Sequence, residues 1–335
     1  MTLARNTFFR PSNQGIYHIT SKTVRGQRLL GYDPLTQQDY SHRRDVVVAR
    51  ILELAKWFAI DLISFAVMIN HLHLILRNLP RLAQKLTKFD VIYRAAHIFP
   101  EKFRRLGVKL ANIDEERIRE LARDKKLVKK MRKRLSDISW YMRQLKQVLS
   151  RQFNAEDDVK GAFWASRFFS REVKGEPSLL TTLGYVDLNE TRALDDLLPE
   201  ESLYSGIGYR VAALKARGMG TSNFKSPIDA QLIPINIAGD GETRYEGHWR
   251  ATQQGLFDAM TLKSYLQLLD TLGRRKRKDK VGSIPKQLVP ILERIGIGIE
   301  TLVDNVFNFE QKYRYHVSCG EESNDTDQHS AISPP

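Results

Sequence analysis

Apolar and polar positions alternate from Gly15 to Val24, a pattern that predicts a strand. Gly31 to Gln38 is rich in turn formers, punctuated by Asp33-Pro34. From Ser41 the period becomes helical: Val47, Ile51, Leu54, Ala55 and Phe58 form one stripe, with Ser41 or Asp45 as candidate caps. Two strands follow, Ile60 to Met68 and His71 to Leu76, joined by a tight turn near Ile69-Asn70. A second helix and a fourth strand, Phe163 to Val173, complete the order strand, helix, strand, strand, helix, strand. That order predicts an α+β fold with a ferredoxin-like (RRM-like) antiparallel sheet, the His71 strand in its middle.

Leu79 to Asn154 reads as a mostly helical insertion, spanning about residues 80–155. Within it Ser139 to Asn154 is amphipathic, with Met142, Leu145 and Leu149 on one face and Arg143, Lys146 and Arg151 elsewhere. Ser178 to Arg192 reads as one helix opened by Glu176-Pro177, with Leu179, Leu180, Leu183 and Val186 on its buried side. Beyond residue 210 the glycines Gly218, Gly220, Gly239 and Gly241 mark a loose linker. Two helical stretches follow, Thr261 to Leu272 and Ile284 to Ile295, and a polar tail from Cys319 that predicts disorder. The expected organisation is a domain over 1–210, a basic helical C-terminal extension over 211–318, and the tail 319–335.

Charge narrows the partner. The chain of 335 residues carries a net charge of +14, and its pI is about 9.7. Such an excess favours a polyanion, with nucleic acid ahead of an acidic membrane surface. No run approaches the ~20 apolar residues of a membrane span, and no secretory signal opens the chain. The lone cysteine, Cys319, excludes internal disulfides and Cys-rich zinc sites, and a reducing cytoplasm is the expected location. Basic residues concentrate at Lys125, Lys126, Lys129, Lys130, Arg132, Lys133 and Arg134, and again at Arg274, Arg275, Lys276, Arg277 and Lys278. Each cluster is a candidate for contact with DNA phosphates, a solvated surface being the competing reading. Phosphate-loop, dinucleotide and HExxH signatures are absent.

The candidate chemistry lies in His71-Leu72-His73. On a strand these two imidazoles point to one side, where they can share a metal ion or be ordinary satisfied histidines. Tyr185 and Asn189, four apart on the later helix, project from the same side of it. Two imidazoles and an amide oxygen form an open, mixed shell suited to Mg²⁺ or Mn²⁺. Tyr141 is a rival nucleophile, with Leu145 where a fourth-residue ligand would stand. Asp187 falls on another face of the helix and is assigned to local charge pairing.

Four segments together resemble the REP-associated tyrosine transposases, a branch of the single-tyrosine HUH transposases. They are Gly15 to Gly26, Ala66 to Leu76 with its His-apolar-His, Gly161 to Phe168, and Tyr185-Val186-Asp187-Leu188-Asn189. The similarity covers roughly residues 10–210 and continues loosely from Leu262 to Gly298. One departure is Asn189-Glu190 where the family usually has Asn-Pro, which predicts a longer helix. The resemblance implies Tyr185 as nucleophile, His71, His73 and Asn189 as metal ligands, and a 5′-phosphotyrosine intermediate with a free 3′-hydroxyl. It implies action on single-stranded DNA beside palindromic hairpins, with no membrane and with a homodimer as an open assembly state. Arg167 and Arg171 are candidates for positioning DNA, or exposed sheet residues. His18 on the first strand is a candidate neighbour of the site, in a packing or hydrogen-bonding role. The alternative is a hairpin-binding module or domesticated regulator without catalysis; a replication-initiating or plasmid-mobilising HUH nuclease ranks third.

Overall fold

Strand β1 (Ile16–Lys22) pairs antiparallel on one side with β5 (His71–Asn78) and on the other with β6 (Phe169–Val173). Strand β4 (Ile60–Val67) forms a hairpin with β5, and a two-residue strand β7 (His316–Val317) adds to β6 in parallel. The sheet order is therefore β4-β5-β1-β6-β7, with the ferredoxin-like arrangement in its antiparallel part. A separate hairpin, β2 (Tyr32–Asp33) with β3 (Gln38–Asp39), precedes helix α1 (His42–Trp57). The computed structural model describes residues 13–109, 113–193, 202–218, 232–233, 235, 255–257, 260, 262–274 and 316–317. Arg275, Lys276, Arg277, Lys278, the stretch Ile284 to Ile295 and the tail 319–335 lie outside them, and of Arg274 only the backbone is described.

The period of two along each strand divides the sheet into two faces, each with its own core. On the first, Tyr17 and Ile19 of β1 meet Leu72, Leu74 and Leu76 of β5. This face is covered by α1 and by the insertion: α2 (Pro80–Lys85), α3 (Lys88–Ile98), α4 (Pro100–Arg105), α5 (Glu115–Leu121), α6 (Lys125–Leu135) and α7 (Ile138–Glu156). Proline opens α2 and α4, while α3, α5, α6 and α7 start where a side-chain acceptor meets the first free N–H groups. Thr87 and Asp90 form a capping box on α3, and Asp114, Asp124 and Asp137 cap α5, α6 and α7. Ser41, the expected cap of α1, makes no side-chain cap bond; Asp39 instead accepts from its N–H at 2.9 Å. The fully buried Arg43 guanidinium ties α1 to the end of α7 through Glu156 at 2.8 Å and Asp157.

The second face is covered by the chain after β6. Helix α8 (Glu176–Asp187) packs on β4, β5 and β6. On the same face lie α10 (Gly206–Gly218), packed on β4, and α11 (Leu262–Arg274), packed on α8, and Ile207, Val211, Leu268, Leu269 and Leu272 join Leu183, Val186 and Ile75 in one core. With the sheet below and α11 beside it, α8 is buried almost all round, as its wide apolar surface requires. The extension beyond residue 210 thus shares a core with the sheet. The edge strand β4 is also capped: its Val67 N–H donates to Tyr204 O, Ile233 N–H donates to Leu62 O, and a bulge between Leu62 and Ser64 presents the Ile63 carbonyl to Arg210 at 2.6 Å.

Two elements differ from their sequence patterns. The fourth strand is shorter than Phe163 to Val173, because Trp164 makes only an isolated bridge to Thr23 before pairing resumes at Phe169. The helix expected over Ser178 to Arg192 is interrupted at one residue, Leu188, and resumes as α9 (Asn189–Ala193), with the Arg192 N–H still donating to the Leu188 carbonyl at 3.0 Å. Within α9, Glu190 is 3% exposed, accepts from Ser202 Oγ and pairs with Arg44 of α1 at 3.3 Å.

Candidate active site around the histidine pair

Strand parity decides where the histidines face. His71 and His73 alternate with the apolar Leu72 and Leu74 of the first core, so both lie on the α8 side of the sheet. In β1 the same parity brings His18 and Thr20 to that side, Thr20 directly opposite His73 and Lys22 opposite His71. The rings of His71 and His73 lie 4.9 Å apart and nearly perpendicular. Tyr185 comes down from α8 edge-on to His73 at 5.5 Å and to His18 at 5.9 Å. Its ring is half-buried against the second core. Tyr185 and His73 therefore meet in space, although 112 residues separate them in the chain.

His73 is held in a defined orientation. Its Nδ1 lies 2.9 Å from His18 Nε2 and 3.3 Å from Thr20 Oγ1, and the His18 ring stacks on it at 5.1 Å. Its Nε2 is buried and has no hydrogen-bond partner among the described residues. Burial, followed by the neighbouring His18, His71 and Arg171, holds the His73 imidazole well below its ordinary pKa, so it is neutral at neutral pH. Burial and then Arg171 bring His18 down to about 3, so it too is neutral. A neutral imidazole with one nitrogen tied and the other unpartnered is the form a metal ligand takes. For Nε2 to ligate, Nδ1 carries the proton and donates it to His18 Nε2. On His71, Nδ1 lies 2.7 Å from Asn70 Oδ1.

Asn189 opens α9, half-buried and four residues past Tyr185; no hydrogen bond joins its amide to the histidine pair among the described residues. No group of three His, Cys, Asp or Glu side chains converges as a metal site among those residues. The rival Tyr141 is fully buried in the first core and donates to the Ile51 carbonyl at 2.8 Å, away from the histidines.

The basic residues separate by environment. Lys125, Lys126, Lys129, Lys130 and Lys133 stand exposed along α6 while Val128, Met131 and Leu135 hold that helix to the core. Arg132 departs from the set: its guanidinium turns inward to the carbonyls of Ala83, Gln84 and Leu86 at the end of α2. Arg134 layers on Trp140 at 3.7 Å. Arg167 is exposed. Arg171 is 7% exposed and sits opposite His18, so it lies beside the imidazoles and not on an open sheet surface. His18 is the residue whose part was least legible, since only strand pairing brings it to His73. Its signal was the shared parity of two strands that the fold makes neighbours. Substituting His18 by phenylalanine keeps the stacked ring but removes the nearer partner of Nδ1, leaving Thr20 Oγ1 at 3.3 Å. Mn²⁺ affinity, read by calorimetry, is expected to fall 10–100-fold; unchanged affinity would remove His18 from the site.

No family model matches the chain, and no curated protein matches it. Among solved structures it is similar to one described as a REP-associated tyrosine transposase bound to a REP hairpin. Sequence identity is 12% and the TM-score 0.36, covering 63% of this chain and 86% of that chain. Among the described residues no helix is long and apolar enough to cross a membrane.

Proposed function

We propose that this protein cleaves and rejoins single-stranded DNA beside palindromic hairpins, with Tyr185 as nucleophile. The observation that supports this reading is the edge-on contact of Tyr185 with His73, whose ring adjoins His71 and whose buried Nε2 has no hydrogen-bond partner among the described residues. His71, His73 and Asn189 would hold Mg²⁺ or Mn²⁺. When bound, such an ion neutralises charge on the scissile phosphate. The Tyr185 hydroxyl oxygen attacks phosphorus, a bond to the protein forms, and the bond to the 3′ oxygen breaks. The phenolic proton passes to solvent and the leaving oxygen takes one up as a 3′-hydroxyl. Reversal of the step with another 3′-hydroxyl rejoins the strands without a nucleotide cofactor, because the phosphodiester energy is kept in the covalent link. His18 and Thr20 hold His73 in the ligating tautomer, and the exposed lysines of α6 attract the polyanion.

The test uses single-stranded hairpin DNA labelled at its 3′ end, incubated with the full chain and Mn²⁺. A labelled species that survives denaturation and disappears with EDTA is the expected result. Hairpin binding with no such species, for any flanking sequence or divalent metal, would leave a binding module without catalysis.

A further inference from the structure

On the outer side of α7, a groove of about 640 Å³ runs between that helix and the segment Ser166–Phe168. Its ionisable lining side chains are Arg143, Lys146 and Arg167, and no Asp or Glu lines it. Two aromatic rings border it, Trp140 and Phe168, both half-buried. Arg143 is exposed and its guanidinium lies 4.8 Å from the Trp140 ring, beside that of Arg134 at 3.7 Å. Lys146 is anchored on the Ser166 carbonyl at 2.6 Å, which closes the groove at that end. The positive surface continues onto α6 and α4: the ammonium of Lys102 is pulled below its ordinary pKa by burial, then by Lys130 and Arg134.

The groove is also joined to the candidate active site through the sheet. Ala165 N–H donates to the Lys22 carbonyl at 3.0 Å, and Lys22 stands opposite His71. Two strand spacings, about 10 Å, therefore separate Ala165, the residue before the groove's Ser166, from the histidine strand, the groove lying on the α7 side of the sheet and the paired imidazoles on the α8 side. Just past the groove, Phe169 stands opposite Thr20, the neighbour of His73. An all-cationic channel with a stacking ring and a layered guanidinium matches what single-stranded nucleic acid requires: charge along the backbone and flat surfaces for bases.

We infer that this groove binds the single-stranded segment flanking the hairpin, phosphates on Arg143 and Arg167, bases stacked on Phe168 and on the Arg143–Trp140 layer. The inference rests on the proposed function for its ligand and adds a second site to it. The test compares a blunt hairpin with the same hairpin carrying a single-stranded tail, by fluorescence anisotropy, in the Tyr185→Phe background so that no cleavage intervenes. Wild-type groove residues are expected to give tighter binding of the tailed DNA. The double variant Arg143→Gln/Arg167→Gln should lose at least 10-fold on tailed DNA, with a shallower salt dependence, and little on the blunt hairpin. Both side chains are exposed, so the fold is not at risk; Trp140→Ala, checked by thermal melting, should give a similar loss. Equal binding of tailed DNA by parent and double variant overturns the groove while leaving adduct formation by Tyr185 intact. An absence of adduct with the tail preference preserved sinks catalysis and spares the groove. Loss confined to a polyglutamate peptide, with tailed DNA unaffected, overturns it in favour of an acidic protein partner.

Discussion

Tyr185→Phe is expected to abolish the covalent protein–DNA adduct completely while leaving hairpin affinity within about twofold. The substitution removes one oxygen and nothing else. The ring keeps its place against the second core and its edge-on contact with His73 and His18. Among the tyrosines, Tyr185 is the one seen edge-on to His73. The measurement is the denaturation-resistant labelled species, scored beside Tyr141→Phe. Tyr141 donates to a carbonyl deep in the first core, so its loss should cost about 1 kcal/mol of stability and leave the adduct in place. An adduct that persists in Tyr185→Phe, or vanishes only in Tyr141→Phe, would move the nucleophile elsewhere.

The histidine pair was legible because a strand has a period of two, and the alternation around His71-Leu72-His73 is enough to put both rings on one side. Which side was not legible. That depends on α8 and the extension covering one face and α1 with the insertion the other, a matter of chain path and not of local pattern. The basic run along α6 was readable, yet Arg132 looks like its lysine neighbours in sequence and differs only because three carbonyls at the end of α2 happen to face it. Glu190 shows where the local pattern stops. The missing proline predicts a helix running on through it, and helix does resume over Asn189–Ala193; what the pattern does not carry is the buried pairing of Glu190 with Arg44, 146 residues earlier in the chain, and its bond from Ser202. Asp187 misleads in the same way: a charge on a helix reads as one half of an ion pair, but its hydrogen-bond donors are two buried hydroxyls.

Those hydroxyls underlie the second large effect. Asp187 is buried in α8, two residues from Tyr185, and accepts from Ser64 Oγ of β4 and from Tyr265 Oη of α11 at 2.6 Å. Burial pushes its carboxyl up to about 6, against the pull of Ser64, Tyr265 and the nearby Arg210. Arg210 in turn donates to the carbonyls of Ile233 and Ile63 at 2.6 Å each. The contact is close on the β4 side, since a Cβ on Gly206 would fall 2.2 Å from Ser64 Oγ. One carboxyl therefore locks the nucleophile's helix to the sheet and to the C-terminal helix at once. Asp187→Ala removes the acceptor of two buried donors and the compensation of a buried guanidinium, at an expected cost of about 3–5 kcal/mol in denaturant unfolding. Tyr265→Phe, which takes away a single donor, should cost about 1–3 kcal/mol. Because a displacement of about 1 Å at a reacting group can slow a reaction by ~100-fold, adduct formation by the folded fraction of Asp187→Ala should slow by a comparable factor. Asp187→Asn preserves shape and an acceptor and should recover most of both. If Asp187→Ala unfolds at the wild-type denaturant concentration, the carboxyl does not clamp α8. If it is destabilised but forms adduct at the wild-type rate, the clamp holds the fold together without positioning Tyr185.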